Sequence, residues 1–243
     1  MKGGKDVEPV IIALDYDNQD QMNIFLDSIQ DLQPKPIVKI GMELFYQYGP
    51  PIVQEVQERG FKMFLDLKLN DIPNTVERAM TQIAKLGPQL TTVHALGGKE
   101  MMEAAVRGAN AGAKISQQEP PQILAVTELT SISTAVLRSE QNVRLEMSEQ
   151  VTSLTQLAKD AGVAGVICSA QDLAAQEVLD SEMLYITPGI RPLETKQDDQ
   201  SRVVTPTQAR KLGSNAIVVG RPITKSEHPL QAYQQIFKEW KNA

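Results

Sequence analysis

With 243 residues and a formal net charge of −6, the chain has no basic excess with which to displace the counterions of a nucleic acid, although a local cationic pocket for a small anion is compatible with that balance. The 42% apolar and 22% charged fractions are those of an ordinary globular protein; one cysteine, Cys168, excludes an intrachain disulfide, and two histidines are too few for the usual zinc sites. No apolar stretch approaches the ~20 residues of a membrane span, and the N-terminal run reaches Asp15 too soon for a signal-peptide core, so no membrane partner and a cytoplasmic location are expected.

Short runs rich in Val, Ile and Leu recur along the chain: PVIIALD (9–15), PIVKIGM (36–42), KMFLDLK (62–68), QLTTVHA (89–95), QILAVTEL (122–129), GVAGVICS (162–169), EMLYITPG (182–189) and SNAIVVGR (214–221). Near-continuous apolarity with polar ends marks strands buried on both faces, as in a parallel sheet. After the first run, DQMNIFLDSIQDL has helical spacing and places Met22, Ile24, Phe25, Ile29 and Leu32 near one face. TVERAMTQIAKLG, after the third, closes on a glycine suited to a helix C-cap, and GKEMMEAAVRGANAG behaves likewise. Residues 130–148 have no readable pattern, whereas TPTQARKLG sets Pro206 in a first helical turn. This alternation means βαβ units with right-handed crossovers. Eight strands in about this length predict a closed (β/α)8 TIM barrel, a single domain over residues 1–243, rather than an open doubly wound sheet.

Polar residues gather at the C-terminal ends of the runs: Asp15, Lys39, Asp66 with Lys68, His94, Glu128 with Thr130, Ser169, Arg191 and Arg221. In (β/α)8 barrels that end carries the active site. Within FLDLKLNDIP (64–73), strand alternation puts Phe64, Asp66 and Lys68 on one face and Met63, Leu65 and Leu67 on the other. One explanation is a structural ion pair, which loses most of its Coulomb gain to desolvation. A functional array is favoured because Lys39 and Asp71 add charges at the same barrel end, and alternating signs keep every member ionised.

A second group lies in ITPGIRP (186–192), DDQSRVVTP (198–206) and IVVGRPI (217–223). Loops after the seventh and eighth strands of such barrels often bind phosphate. Gly220 admits an anion close to its backbone N–H, and Arg221 presents a fork matched to phosphate oxygens; on the bland alternative Gly220 only turns the chain and Arg221 is solvated. Arg191 sits in a long polar strand-to-helix connection of the kind that closes as a lid. His94 reads as a hydrogen-bonded core or shell histidine rather than a base, Met101 and Met102 as packing, and Cys168 as a small buried hydrophobe.

FLDLKLNDIPNTV (64–76) resembles the signature of the orotidine 5′-phosphate decarboxylase family, D-x-K-x-x-D-[I/V]-[P/A/G]-x-T, with Asp66, Lys68, Asp71, Ile72, Pro73 and Thr75 filling its positions. The resemblance continues in order through ALD (13–15), VKIGMELF (38–45), VHALGG (93–98), LAVTELTS (124–131), TPGIRP (187–192), DDQSRVVTP (198–206) and VVGRPI (218–223). Leu69 and Asn70 depart from the Phe-His or Phe-Gly of many members, at unconstrained positions. The resemblance implies decarboxylation of orotidine 5′-phosphate to uridine 5′-phosphate in pyrimidine biosynthesis, with no cofactor and no metal. It makes Lys68 the proton donor, Asp66 the carboxylate beside the scissile carboxylate, and Lys39 a member of the charge array that also contacts ribose with Asp15. It further implies that Asp71 and Thr75 enter from the second subunit of a homodimer, that Thr130 meets the pyrimidine edge, and that Arg191, Gln200, Gly220 and Arg221 hold the phosphate.

Two rivals stand beside this reading. A sugar-phosphate decarboxylase of the same barrel superfamily shares D-x-K-x-x-D but uses magnesium; DIPNT and the Gln200/Arg221 elements favour the nucleotide enzyme. A non-catalytic nucleotide sensor would not require the intact Lys39, Asp66, Lys68 and Asp71 set.

Overall fold

Each of the eight apolar runs becomes a strand: β1 (Val10–Ala13), β2 (Ile37–Ile40), β3 (Lys62–Leu69), β4 (Leu90–His94), β5 (Gln122–Val126), β6 (Gly165–Ile167), β7 (Leu184–Thr187) and β8 (Ala216–Val219). They pair in parallel in chain order, and β8 returns to β1 through Val10–Ile217, Ile11–Val218 and Ile12–Val219, closing the predicted (β/α)8 barrel. The computed structural model describes residues 9–174, 180–192 and 203–243.

Alternation along the strands sorts the apolar side chains into two cores. Ile11, Ile37, Phe64, Leu90, Leu124 and Ile186 fill the barrel interior. Their sequence neighbours Ile12, Val38, Met63, Leu65, Ala125 and Tyr185 pack outward against the helices. Because all strands run the same way, every strand's C-terminal end opens at one mouth, which is how polar residues far apart in sequence become neighbours.

The helix after β3 (Pro73–Lys85) begins at Pro73, two residues ahead of the run read as helical, and is followed by the expected glycine, Gly87 at φ +72°, a left-handed position that favours glycine. It lies tightly on the helix after β4 (Lys99–Ser116). A Cβ at Gly108 would stand 2.2 Å from the Glu77 carbonyl oxygen, and one at Gly112 2.3 Å from that of Thr81. The glycines of RGANAG therefore set the spacing of the two helices that follow the strands bearing Asp66 and His94. Met101 and Met102 are fully buried in the outer core, as expected of packing residues.

One expectation is corrected, and one stretch that the sequence left unread is now described. The first helix spans Gln19–Ser28, and within it Met22, Phe25 and Leu26 are buried while Ile24 is 71% exposed. At 3.6 residues per turn, Ile24 lies about 200° around the axis from Met22, on the opposite face. The unreadable region around 130–148 contains a short helix, Thr134–Ser139, capped by the Ser133 side chain, and then the start of Met147–Asp160. A six-residue helix is too short to show an apolar period. Among the described residues no helix is long and apolar enough to cross a membrane.

The two-core arrangement predicts opposite outcomes for similar truncations. Leu90→Ala, in the barrel interior, should cost about 2–5 kcal/mol, whereas Ile24→Ala should change stability by about 0.5 kcal/mol or less, both read from urea unfolding.

Candidate active site

The site grows from the C-terminal half of β3. Leu65 pairs with Thr91 and Leu69 with Val93, so three residues of β3, Asp66 to Lys68, face the single residue Thr92 of β4. This bulge is completed at Lys68, whose φ of +51° is left-handed for a side-chain-bearing residue. Such a conformation costs roughly 1–3 kcal/mol and persists only where the surroundings hold it. Simple alternation predicted Lys68 beside Asp66, and Lys68 Nζ lies 2.9 Å from Asp66 Oδ2.

Asp66 is almost fully buried, and its charge is matched from two strands. Lys39, from β2, places Nζ 3.5 Å from Asp66 Oδ2 and 3.4 Å from Asp15 Oδ1 beyond β1. The Thr92 hydroxyl donates to Asp66 Oδ1 at 2.9 Å. Burial by itself pushes the Asp66 carboxyl pKa upward, but the Lys39 and Lys68 charges with the Lys68 and Thr92 hydrogen bonds outweigh it and hold the group below its ordinary value. Charges thus alternate as Asp15, Lys39, Asp66, Lys68 across the mouth. Half-buried His94 ends β4, and its pKa is lowered, first by burial and then by the Lys68 charge. The orphaned His94 Nδ1 has no hydrogen-bond partner among the described residues, so the expected hydrogen-bonded histidine is not seen at that atom.

A cavity of about 250 Å³ lies over this array. Asp15, Lys39, Asp66, Lys68, Thr130, Arg191, Gly220 and Arg221 are among the residues that line it. Eight of the eleven residues singled out from the sequence thus border one space. Ile190 and Val204 form a parallel bridge, with Arg191 N–H donating to the Val204 carbonyl at 2.9 Å, which pins the base of the connection after β7. Gln200, and with it most of the expected lid, lies outside the described residues.

Asp71 and Thr75 do not border the cavity. Both are exposed, Asp71 receiving the Ile72 N–H at 2.7 Å in its own turn, and the neighbouring Ile72 is 66% exposed. Cys168 is buried as expected but also forms part of the cavity wall. Ser169 turns away to cap the helix Ala170–Leu173. Sequence reasoning passed over Thr92 altogether and gave Glu128 no role. Glu128 borders the cavity, its carboxylate accepting from Gln141 and Gln150 amides at 3.4 and 3.2 Å. Its signal was a carboxylate ending an apolar run; Thr92 had none, because Thr is at home in any strand.

A closed parallel barrel with alternating carboxylates and ammonium groups at its C-terminal mouth defines a (β/α)8 enzyme of acid–base or electrostatic chemistry. The model of the family described as "Orotidine 5'-phosphate decarboxylase / HUMPS family" matches residues 8–236. The chain is 50% identical over 234 residues to the orotidine 5'-phosphate decarboxylase of Lactobacillus delbrueckii subsp. bulgaricus, covering 96% of this chain and 97% of that one. It is 51% identical over 234 residues to that of Lactobacillus acidophilus, with 96% and 98% covered. The crystal structure of orotidine 5'-phosphate decarboxylase from Lactobacillus acidophilus superposes with a TM-score of 0.83 at 48% identity, covering 97% of this chain and 99% of that one. An uncharacterized conserved protein from Geobacillus kaustophilus superposes equally, at 0.83 and 40% identity, with 96% and 100% covered. The chain belongs to the orotidine 5'-phosphate decarboxylase / HUMPS family.

The lowered carboxyl of Asp66 has a direct consequence for stability. Its folded value lies below its unfolded one, so its contribution is complete above about pH 4 and is lost as pH falls through the folded value. The stability difference between wild type and Asp66→Asn should therefore shrink on acidification from pH 5 to pH 3, measured by urea unfolding across that range.

Proposed function

We propose that the chain decarboxylates orotidine 5′-phosphate to uridine 5′-phosphate in pyrimidine biosynthesis, with Lys68 stabilising and then protonating the ring carbanion. The observation that carries this reading is the Lys39–Asp66–Lys68 chain of ion pairs bordering the cavity. Full-length identity near 50% to relatives named for this activity supports the substrate.

Cleavage of the bond from ring carbon C6 to the carboxylate releases carbon dioxide and leaves the electron pair on C6, where no carbonyl delocalises it. An ammonium aimed at that carbon is the stabiliser available: a unit charge pair at about 4 Å is worth ~4 kcal/mol at an effective dielectric near 20. The Lys68 proton then passes to C6, and solvent restores it. Asp66 sits beside the departing carboxylate and holds Lys68 in place. Asp15 and Lys39 meet the ribose, Thr130 the pyrimidine edge, and Arg191, Gln200, Gly220 and Arg221 the phosphate. Phosphate contacts remote from C6 supply binding energy for closing the site.

No metal takes part on this reading, because Asp66 Oδ2 already faces two ammonium groups that a divalent cation would have to displace. The family description also spans HUMPS members, and magnesium dependence would mark the sugar-phosphate alternative. Purified protein should remove the absorbance of orotidine 5′-phosphate at full rate after exhaustive chelation, and Lys68→Ala should lose nearly all turnover while remaining folded. Lys68→Ala activity within tenfold of wild type would rule the mechanism out.

Asp71 and Thr75 act on this reading from a second copy of the chain. Their exposure beside the exposed Ile72, away from their own cavity, supports an exchange across a two-fold axis. Lys68→Ala and Asp71→Ala proteins should each be nearly inactive. Refolded together they should regain about a quarter of wild-type activity, since random pairing makes half the dimers mixed, each with one intact site. Mixtures that exchange subunits, as shown on native gels, yet stay inactive would place Asp71 in its own chain's site.

A further inference from the structure

Thr92 is fully buried at the one position of β4 that faces the three-residue bulge of β3. Its hydroxyl is used in both directions. It accepts the Lys68 backbone N–H at 2.9 Å and donates to Asp66 Oδ1 at 2.9 Å. A hydroxyl has one proton and two lone pairs, so one Thr side chain can serve both groups at once. The bulge leaves the Lys68 amide without the regular ladder partner a strand residue would have, and the left-handed φ of Lys68 needs an external anchor. The same atom orients the carboxylate whose other oxygen receives Lys68 Nζ at 2.9 Å.

We propose that Thr92 is the positioning residue of this site, a single hydroxyl that sets both the backbone from which Lys68 projects and the carboxylate that aims its ammonium group. It contacts no substrate atom on this reading; it is not among the residues bordering the cavity. The proposal rests on the reading of Lys68 as the reacting ammonium. Because the pair it sets acts on the reacting carbon, while substrate binding is read onto Arg191, Arg221 and Thr130, the effect of Thr92 belongs in kcat rather than KM.

Thr92→Val exchanges the hydroxyl for a methyl at nearly equal volume and is the direct test. Thr91→Val is the matched control, since the Thr91 hydroxyl is also fully buried but has no hydrogen-bond partner among the described residues. Thr92→Val should lower kcat at least about tenfold with KM within about threefold of wild type, because it leaves a buried amide and a carboxylate oxygen unsatisfied. Thr91→Val should leave both constants unchanged, and Thr92→Ser, which keeps the hydroxyl, should retain kcat within about threefold. A Thr92→Val kcat that stays within threefold, an equal loss in Thr91→Val, or a Thr92→Ser enzyme that is folded but tenfold impaired would each overturn the proposal. If Thr92→Val does not fold, the Thr92→Ser result decides alone. If the wild type does not consume orotidine 5′-phosphate, the proposed function falls, and crystal structures then judge Thr92 separately. Displacement of Lys68 Nζ from Asp66 in Thr92→Val supports the positioning role, and an unchanged pair refutes it.

Discussion

A carboxylate buried in a barrel mouth must be matched by charge and hydrogen bonds, or it costs the fold several kcal/mol. Asp66 meets that requirement with Lys39 from β2, Lys68 from its own strand and Thr92 from β4. Three adjacent strands are therefore tied by one side chain. Lys39 stands opposite Phe64 in the β2–β3 register, and a slip by one residue would turn its ammonium out of the barrel. The charge pattern and the strand register thus depend on each other.

The same constraint accounts for the irregular backbone at the site. A regular strand has no reason to place a lysine at a left-handed φ, and the bulge across Thr92 concentrates that irregularity at one point of an otherwise regular barrel. A left-handed conformation at a side-chain-bearing residue persists only where its surroundings hold it. Asp66, which organises the pair, is the group whose ionised form the surroundings favour.

The other residues singled out from the sequence divide into those that border the cavity and those that do not. Thr130, Arg191 and Gly220 border the cavity from segments that follow strands, Arg221 opens the short helix Arg221–Thr224 after β8, and the Ile190–Val204 bridge holds the base of the connection after β7. Asp71 and Thr75 lie a few residues beyond Lys68, on the exposed turn and first helical turn after β3.

The barrel was legible in the sequence because burial on both faces demands continuous apolar runs, and eight of them alternating with helical spacing leave few other closed arrangements. The mouth residues were legible for the same reason, since a charge that ends such a run has nowhere else to go. Ile24 was misplaced because an apolar residue on an amphipathic helix carries no label for its face beyond its angle about the axis. The helix Thr134–Ser139 escaped because six residues hold too little periodicity. Thr92 and the left-handed Lys68 were decided by the tertiary structure alone. A bulge is a property of two strands paired across more than twenty residues of sequence, and only their register shows which hydroxyl faces the extra residues.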